Sequence, residues 1–290
     1  MRDYFTLRKR RDVGMKLKKW IVAALAIVTT VGVLAGCGAD TSKQSAAPAE
    51  KKEITVGITP GSSDQIMEVV KKEAAKQGLT VNVKTFNDYI TPDQALASGD
   101  IDLNMYQHQP FLDAFNKKNG TDLVSIGKTY LAPLALYSHK YKKVADIPDG
   151  STIAIPNDPT NGSRALVLLA KENLIKLDPK KDPLKVTVQD IVDNPKHLKI
   201  TELEAAQLPR SLDDTAASVI NAGYAISAGL NSAKDGIAVE ADTSPYVNII
   251  AARAKDKDNP TYQKFVKIFQ SEAVKDYINT QFKKALVPVW

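Results

Sequence analysis

The chain has 290 residues, with 39 Lys and Arg against 33 Asp and Glu, and a single cysteine. The first 36 residues hold eight Lys and Arg and two Asp and Glu, which leaves 31 of each from Cys37 onward, so the formal charge of +6 resides in that leading segment. A formally neutral remainder carries no electrostatic footprint for a nucleic acid, and one cysteine excludes an internal disulfide or a cysteine metal site.

The first predicted element is a leader. Lys16, Lys18 and Lys19 precede an apolar run over residues 20–35, which ends in Leu34-Ala35-Gly36-Cys37. A helix needs roughly 20 apolar residues to cross a bilayer core, so the run is too short for a span and fits a signal-peptide core. Small residues before a cysteine mark a lipoprotein signal over residues 1–36. Cleavage makes Cys37 the lipidated first residue and leaves the mature domain without a thiol. More than one acyl chain anchors stably, which places the protein on the extracytoplasmic face of the cell membrane. An uncleaved signal anchor with a chance cysteine is the alternative. Translation can start at Met1 or Met15 without changing the mature chain.

Residues 38–53 are mostly Ala, Ser, Thr, Lys, Gln and Glu, with Gly38, Asp40, one proline and no aromatic, a flexible tether between Cys37 and the folded part. From Ile54 the composition is globular, and its length suits two domains of roughly 110–130 residues. Residues 54–59 and 81–86 alternate as strands around a helix carrying Ile66, Met67, Val69, Val70, Ala74 and Ala75 at helical spacing. A short helix opens at Thr91-Pro92-Asp93, a strand covers residues 101–106, and a helix surrounds Phe111, Leu112 and Phe115. Strands alternating with helices imply an α/β fold with parallel pairing.

Residues 134–138 read as a strand leaving this first lobe. A strand over 152–156, a polar loop over 157–163 and a helix over 164–173 follow. Further strands cover 199–202, 217–220, 236–239 and 247–251, and two helices close the chain over 260–270 and 272–284. No internal repeat is present.

The candidate chemistry is that of a binding site rather than an enzyme. His108, His139 and His197 do not pair at metal-ligand spacing, and no Walker loop or Gly-x-Ser-x-Gly elbow occurs. No catalytic residue, metal or cofactor is expected. Residues 104–112 place Tyr106, Gln107, His108 and Gln109 at a strand-to-helix junction, where open α/β sheets bind ligands. The alternative is a helix cap with core aromatics. Arg164 follows the loop 156–163 at a second junction, where a guanidinium fork beside a helix N-terminus suits a carboxylate. The alternative is a surface arginine paired with Asp158. Asn248 heads an apolar strand and either serves a ligand or bonds local backbone. Asn221 and Tyr224 carry the same two readings. Tyr89 and Tyr130, taken alone, fit core or rim aromatics better than contacts with a ligand.

The lipobox and residues 104–112, 156–166, 220–230, 244–250 and 287–290 together resemble the NlpA-type methionine-binding lipoproteins, from about Ile54 to Trp290. The resemblance implies a two-lobed α/β fold of the periplasmic-binding-protein type (type II), crossed twice near residues 136–139 and 246–249. It implies lobes of 54–137 plus 248–290 and 138–247, with the ligand cleft between them. It implies capture of L-methionine or a close analogue by a monomer, and delivery to the permease and ATPase of an ABC importer. By the same resemblance, Arg164 clamps the α-carboxylate, Asn161 and Asn248 hold the carboxylate and amino ends, Tyr106, His108 and Tyr89 line the side-chain pocket, and Asn221 and Tyr224 complete the second wall. The family often carries Phe where this chain has Tyr106, which leaves D- or L-methionine, or a methionine peptide, open. Another small amino acid or sulfur solute is the alternative ligand. A surface adhesion lipoprotein is the alternative of another class.

Overall fold

The structure, a computed structural model, describes residues 50–290. The signal segment, Cys37 and most of the expected tether lie outside the described residues. No helix among the described residues is long and apolar enough to cross a membrane.

The first part of the chain runs β1 (Glu53–Ile58), α1 (Ser62–Lys76), β2 (Thr80–Thr85), α2 (Thr91–Ser98), β3 (Leu103–His108), α3 (Gln109–Asn119) and β4 (Leu123–Leu131). The middle runs β5 (Ala135–Tyr137), β6 (Thr152–Pro156), α4 (Pro159–Lys171), β7 (Lys176–Leu177), β8 (Ile191–Asp193), β9 (Lys199–Leu203), α5 (Leu208–Ser211), β10 (Ala217–Ile220), α6 (Ala222–Ser227), α7 (Ser232–Asp235) and β11 (Gly236–Val239). The chain closes with β12 (Val247–Arg253), α8 (Pro260–Phe269), α9 (Glu272–Gln281) and β13 (Val287–Pro288).

Two sheets organise these elements. One has the order β13-β4-β12-β3-β1-β2 and the other β11-β5-β10-β6-β9. Each sheet is buried on both faces. In β12, Ile250 and Ala252 pack with Ile66, Phe265 and Ile278, while Ile249 and Ala251 pack with Leu96, Leu112 and Phe115. Alternation along a strand sends neighbours to opposite faces, so a strand covered twice reads as a continuous apolar run. The second sheet repeats the plan. Ile153 and Ile155 of β6 join Leu166 and Leu169 of α4, and Ala154 faces Leu208 and Tyr224 on the other side. Each large aliphatic or aromatic side chain buried in this way contributes about 1.5–3 kcal/mol.

Four differences from the sequence reading matter for the site. The sheets are mixed rather than parallel, because β12 runs antiparallel to β3 and β4, and β5 runs antiparallel to β10 and β11. Strand β4 has no counterpart in the sequence reading. The chain passes between sheets at residues 132–134 and 240–246, upstream of the positions expected, since the apolar run that contains Leu136 belongs to the second sheet. Residues 51–53, assigned to the tether from composition, join the folded unit. Glu53 opens β1, the Lys51 backbone amide donates to Thr261 Oγ1 at 2.8 Å, and the Lys51 ammonium pairs with Asp102.

Candidate functional site

The strands that reach the cleft end in residues that need partners. β3 is buried along its whole length, and its last residue, His108, is the N-cap of α3. His108 Nδ1 accepts a hydrogen bond from Phe111 N at 3.2 Å. An Nδ1 that accepts is unprotonated, so the ring proton of neutral His108 is on Nε2. Nε2 lies 3.2 Å from Asn161 Oδ1 and donates to it. Burial, and then the charge of Arg164, push the His108 pKa down to about 3, so the ring is neutral at physiological pH.

Helix α4 begins at Pro159, five residues before the start expected. Asp158 caps it by accepting from Asn161 N at 2.9 Å, and Pro159 suits the first helical position because its missing N–H has no partner to lose. Arg164 therefore lies in the second turn, not at the helix start. It is also not a surface residue. Its side chain is 4% exposed and pairs with Glu240 rather than Asp158. Nε donates to Glu240 Oε1 at 2.7 Å, and Nη2 bonds Glu240 Oε2 and, at 2.9 Å, the carbonyl of Ala132. The guanidinium lies 4.6 Å from the centre of the Tyr246 ring, within cation–π range.

Asn161 is fully engaged by the protein. Its amide donates to both oxygens of Asp158 at 3.1 and 2.9 Å, and its Oδ1 accepts from His108 and from Asn221 Nδ2 at 2.9 Å. That network joins His108 at the end of β3 to Asn161 of α4 and to Asn221, the residue after β10. Asn221 Oδ1 is buried with no partner, an acceptor of the kind that a ligand donor would satisfy. Asn248 Nδ2 donates to the Tyr106 carbonyl at 3.2 Å.

The other end of the cleft is aromatic. Tyr89 stacks on Tyr106 with ring centres 5.7 Å apart and meets Phe111 edge-on at 5.9 Å. Tyr106 Oη donates to the Tyr89 carbonyl at 2.7 Å, so the hydroxyl that a Phe would lack is satisfied inside the wall. Behind this wall, Asp93 Oδ1 accepts from Asn104 Nδ2 and Gln107 Nε2, both at 2.6 Å. Burial raises its pKa to about 6.

One cavity collects Tyr89, Tyr106, His108, Asn161, Arg164, Asn221 and Asn248. The empty space it encloses is about 510 Å³, counting the part open to solvent. Tyr224 is the exception among the expected residues. It lines a neighbouring cavity at the mouth with Asp88, Asp158 and Glu204, donates to the Asn87 carbonyl at 3.1 Å and packs 5.1 Å from Tyr89. The sequence reading overlooked Glu240 and Tyr246, and it took Tyr130, which lines the central cavity, for a core or rim aromatic. Ser63 Oγ and Tyr130 Oη are 3.2 Å apart. Among the described residues, no three His, Cys, Asp or Glu are grouped to hold a metal ion.

Two α/β lobes, crossed twice by the chain and enclosing a polar and aromatic cleft, define the class of periplasmic binding proteins. The family described as NlpA lipoprotein matches residues 54–290. A protein of Salmonella typhi named D-methionine-binding lipoprotein MetQ is 47% identical over 281 residues, 95% of this chain and all of that one. A solved structure of a nutrient binding protein from Burkholderia cenocepacia bound to methionine superposes with a TM-score of 0.80. It is 49% identical and covers 82% of this chain and 100% of its own. Lipoprotein Tp32 from Treponema pallidum, 35% identical, gives a TM-score of 0.79 over 82% of this chain and 100% of its own. The chain belongs to the NlpA lipoprotein family.

Proposed function

We propose that this protein is a membrane-anchored solute-binding lipoprotein that captures methionine between its lobes and delivers it to an ABC importer. The observation that carries the reading is the division of one buried cleft into two ends. Arg164, Asn161 and Asn221 make one end polar, and Tyr89, Tyr106 and Phe111 make the other aromatic. A zwitterionic amino acid with a soft thioether matches both ends. Its carboxylate suits the free N–H groups of a guanidinium, its ammonium suits the unpartnered Asn221 oxygen, and sulfur–aromatic contacts contribute about 0.3–1.5 kcal/mol each. The relatives support the same ligand, one by its name and one by the methionine it was solved with.

In this reading, Cys37 carries the lipid that holds the domain at the extracytoplasmic face. The two crossings act as the hinge. Closure around the solute buries it and aligns both lobes for a permease and its ATPase. Native mass spectrometry of protein purified without added ligand tests the assignment. An added mass of 149 Da, about that expected for one methionine released on denaturation, is the outcome predicted by the chemistry of the cleft. A different solute, not displaced by methionine in a competition panel, would overturn it.

A further inference from the structure

Glu240 lies in the second crossing, immediately after β11, and its carboxylate is the acceptor on which the hinge and the cleft converge. Oε1 accepts from Arg164 Nε at 2.7 Å and from Ser244 Oγ at 2.9 Å. Oε2 accepts from Arg164 Nη2 and from the backbone amide of Leu134 at 3.1 Å. The Glu240 amide in turn donates to the Leu134 carbonyl at 2.9 Å. Leu134 belongs to the first crossing and Ser244 to the second, so one side chain ties both crossings to the arginine of the cleft.

A carboxylate offers about four acceptor positions, and all four are taken here. Arginine has five N–H donors. Three are spent on Glu240 and on the Ala132 carbonyl, while the two on Nη1 have no protein acceptor among the described residues. The bidentate pair fixes the plane of the guanidinium, and Tyr246 covers one face of it at 4.6 Å. Arg164 is the only charged residue of those that line the central cavity, and Glu240 neutralises it from behind. A net-neutral amino acid then enters a net-neutral charge pair.

We propose that Glu240 is a positioning residue. It orients Arg164 so that Nη1 meets the ligand carboxylate, and with the same carboxylate it pins the two crossings so that ligand binding and lobe closure are one event. The proposal rests on the reading of the cleft as an amino-acid site.

The test uses Glu240→Gln, which keeps the size of the side chain but turns an amide NH₂ toward donors. Spin labels on cysteines introduced at exposed Lys72 of α1 and Lys171 of α4 report the distance between lobes, and calorimetry reports methionine affinity. The folded variant is expected to bind methionine roughly thirtyfold more weakly or worse, the loss typical of breaking a buried hydrogen-bonded charge pair. Its distance distribution at saturating methionine should stay broad where wild type is narrow. Wild-type affinity, or a narrow distribution at saturation, overturns the proposal. If Glu240→Gln does not fold, Ser244→Ala decides. Removing one hydrogen bond to Oε1 should weaken binding roughly three- to tenfold, and unchanged affinity overturns the proposal. If wild type itself shows no heat with methionine, the amino-acid reading fails. The ligand-free distance distribution then judges Glu240 separately, broader in the variant if it pins the crossings and unchanged if it does not.

Discussion

Gly61 and Gly223 meet backbone to backbone across the cleft, and a Cβ built on Gly61 would lie 2.2 Å from the Gly223 carbonyl oxygen. Gly61 precedes α1 in one lobe, and Gly223 is in α6 of the other. Gly61 also has φ of 111°, a conformation that L side chains rarely adopt. No side chain fits between the lobes at this point while they are closed.

Gly61→Ala is therefore expected to lose about 1–3 kcal/mol of stability from backbone strain and to prevent full closure on ligand. Gly223→Ala is the control, because its Cβ would meet the Pro60 carbonyl oxygen at an ordinary 3.5 Å. Small-angle scattering with and without methionine checks both. Compaction in Gly61→Ala equal to wild type would show that this contact does not gate closure.

Arg164→Lys should fail to rescue Arg164→Ala. A lysine ammonium cannot bond both oxygens of Glu240 and the Ala132 carbonyl while presenting two further donors to a ligand. Both variants should lose about 2–5 kcal/mol of binding free energy, in Arg164→Ala partly from the half-buried Glu240 charge left unpaired. Calorimetric titration checks this, and near-wild-type affinity in the lysine variant would refute the fork geometry as the reason for arginine.

Two buried groups give stability opposite dependences on pH. The folded pKa of His108, about 3, lies below the ordinary 6.5, so the folded state holds fewer protons than the unfolded state between those values. Stability from this group is full above pH 6.5 and falls as pH drops, by roughly 2 kcal/mol at pH 5. The folded pKa of Asp93, about 6, lies above 3.8, so its contribution falls as pH rises through that window. Relative to wild type, His108→Gln should gain stability as pH is lowered from 6.5, and Asp93→Asn should gain about 2 kcal/mol as pH is raised from 4 to above 6. Denaturant melts across pH check the signs. Parallel wild-type and variant curves would contradict the buried neutral imidazole or the buried carboxyl.

Tyr106→Phe removes one internal hydrogen bond, that to the Tyr89 carbonyl, and should lower stability by about 0.5–1.5 kcal/mol with little effect on the aromatic wall. Thermal melts and titration of the same protein separate the two effects. A large change in ligand preference would show that the hydroxyl faces the ligand instead.

Much of this was legible in the chain. Strands β1, β6, β9, β10 and β11 announce themselves by alternation or apolar runs between turn residues, and their bounds differ little from those expected. Strand β4 did not, because Ser125, Gly127 and Lys128 interrupt its apolar pattern midway along the strand. The start of α4 was missed because Pro159 reads as a loop residue until Asp158 is seen to cap the helix. Tyr224 sits at the mouth rather than in the central cavity, since its hydroxyl reaches the Asn87 carbonyl of the opposite lobe. Glu240 carried no local signal at all. A glutamate among Val239, Ala241 and Asp242 looks like any solvated residue, and only the fold brings it to an arginine 76 positions away.

The central claim is that the cleft holds an amino acid by its charged ends and its thioether together. Calorimetric titration of protein unfolded, freed of co-purified solute and refolded measures this most directly. The account predicts saturable heat for one methionine per chain, with affinity reduced when the thioether is replaced by a polar side chain and weakened by about 2–5 kcal/mol in Arg164→Ala. No heat with methionine, alongside tight binding of an unrelated solute, would contradict it.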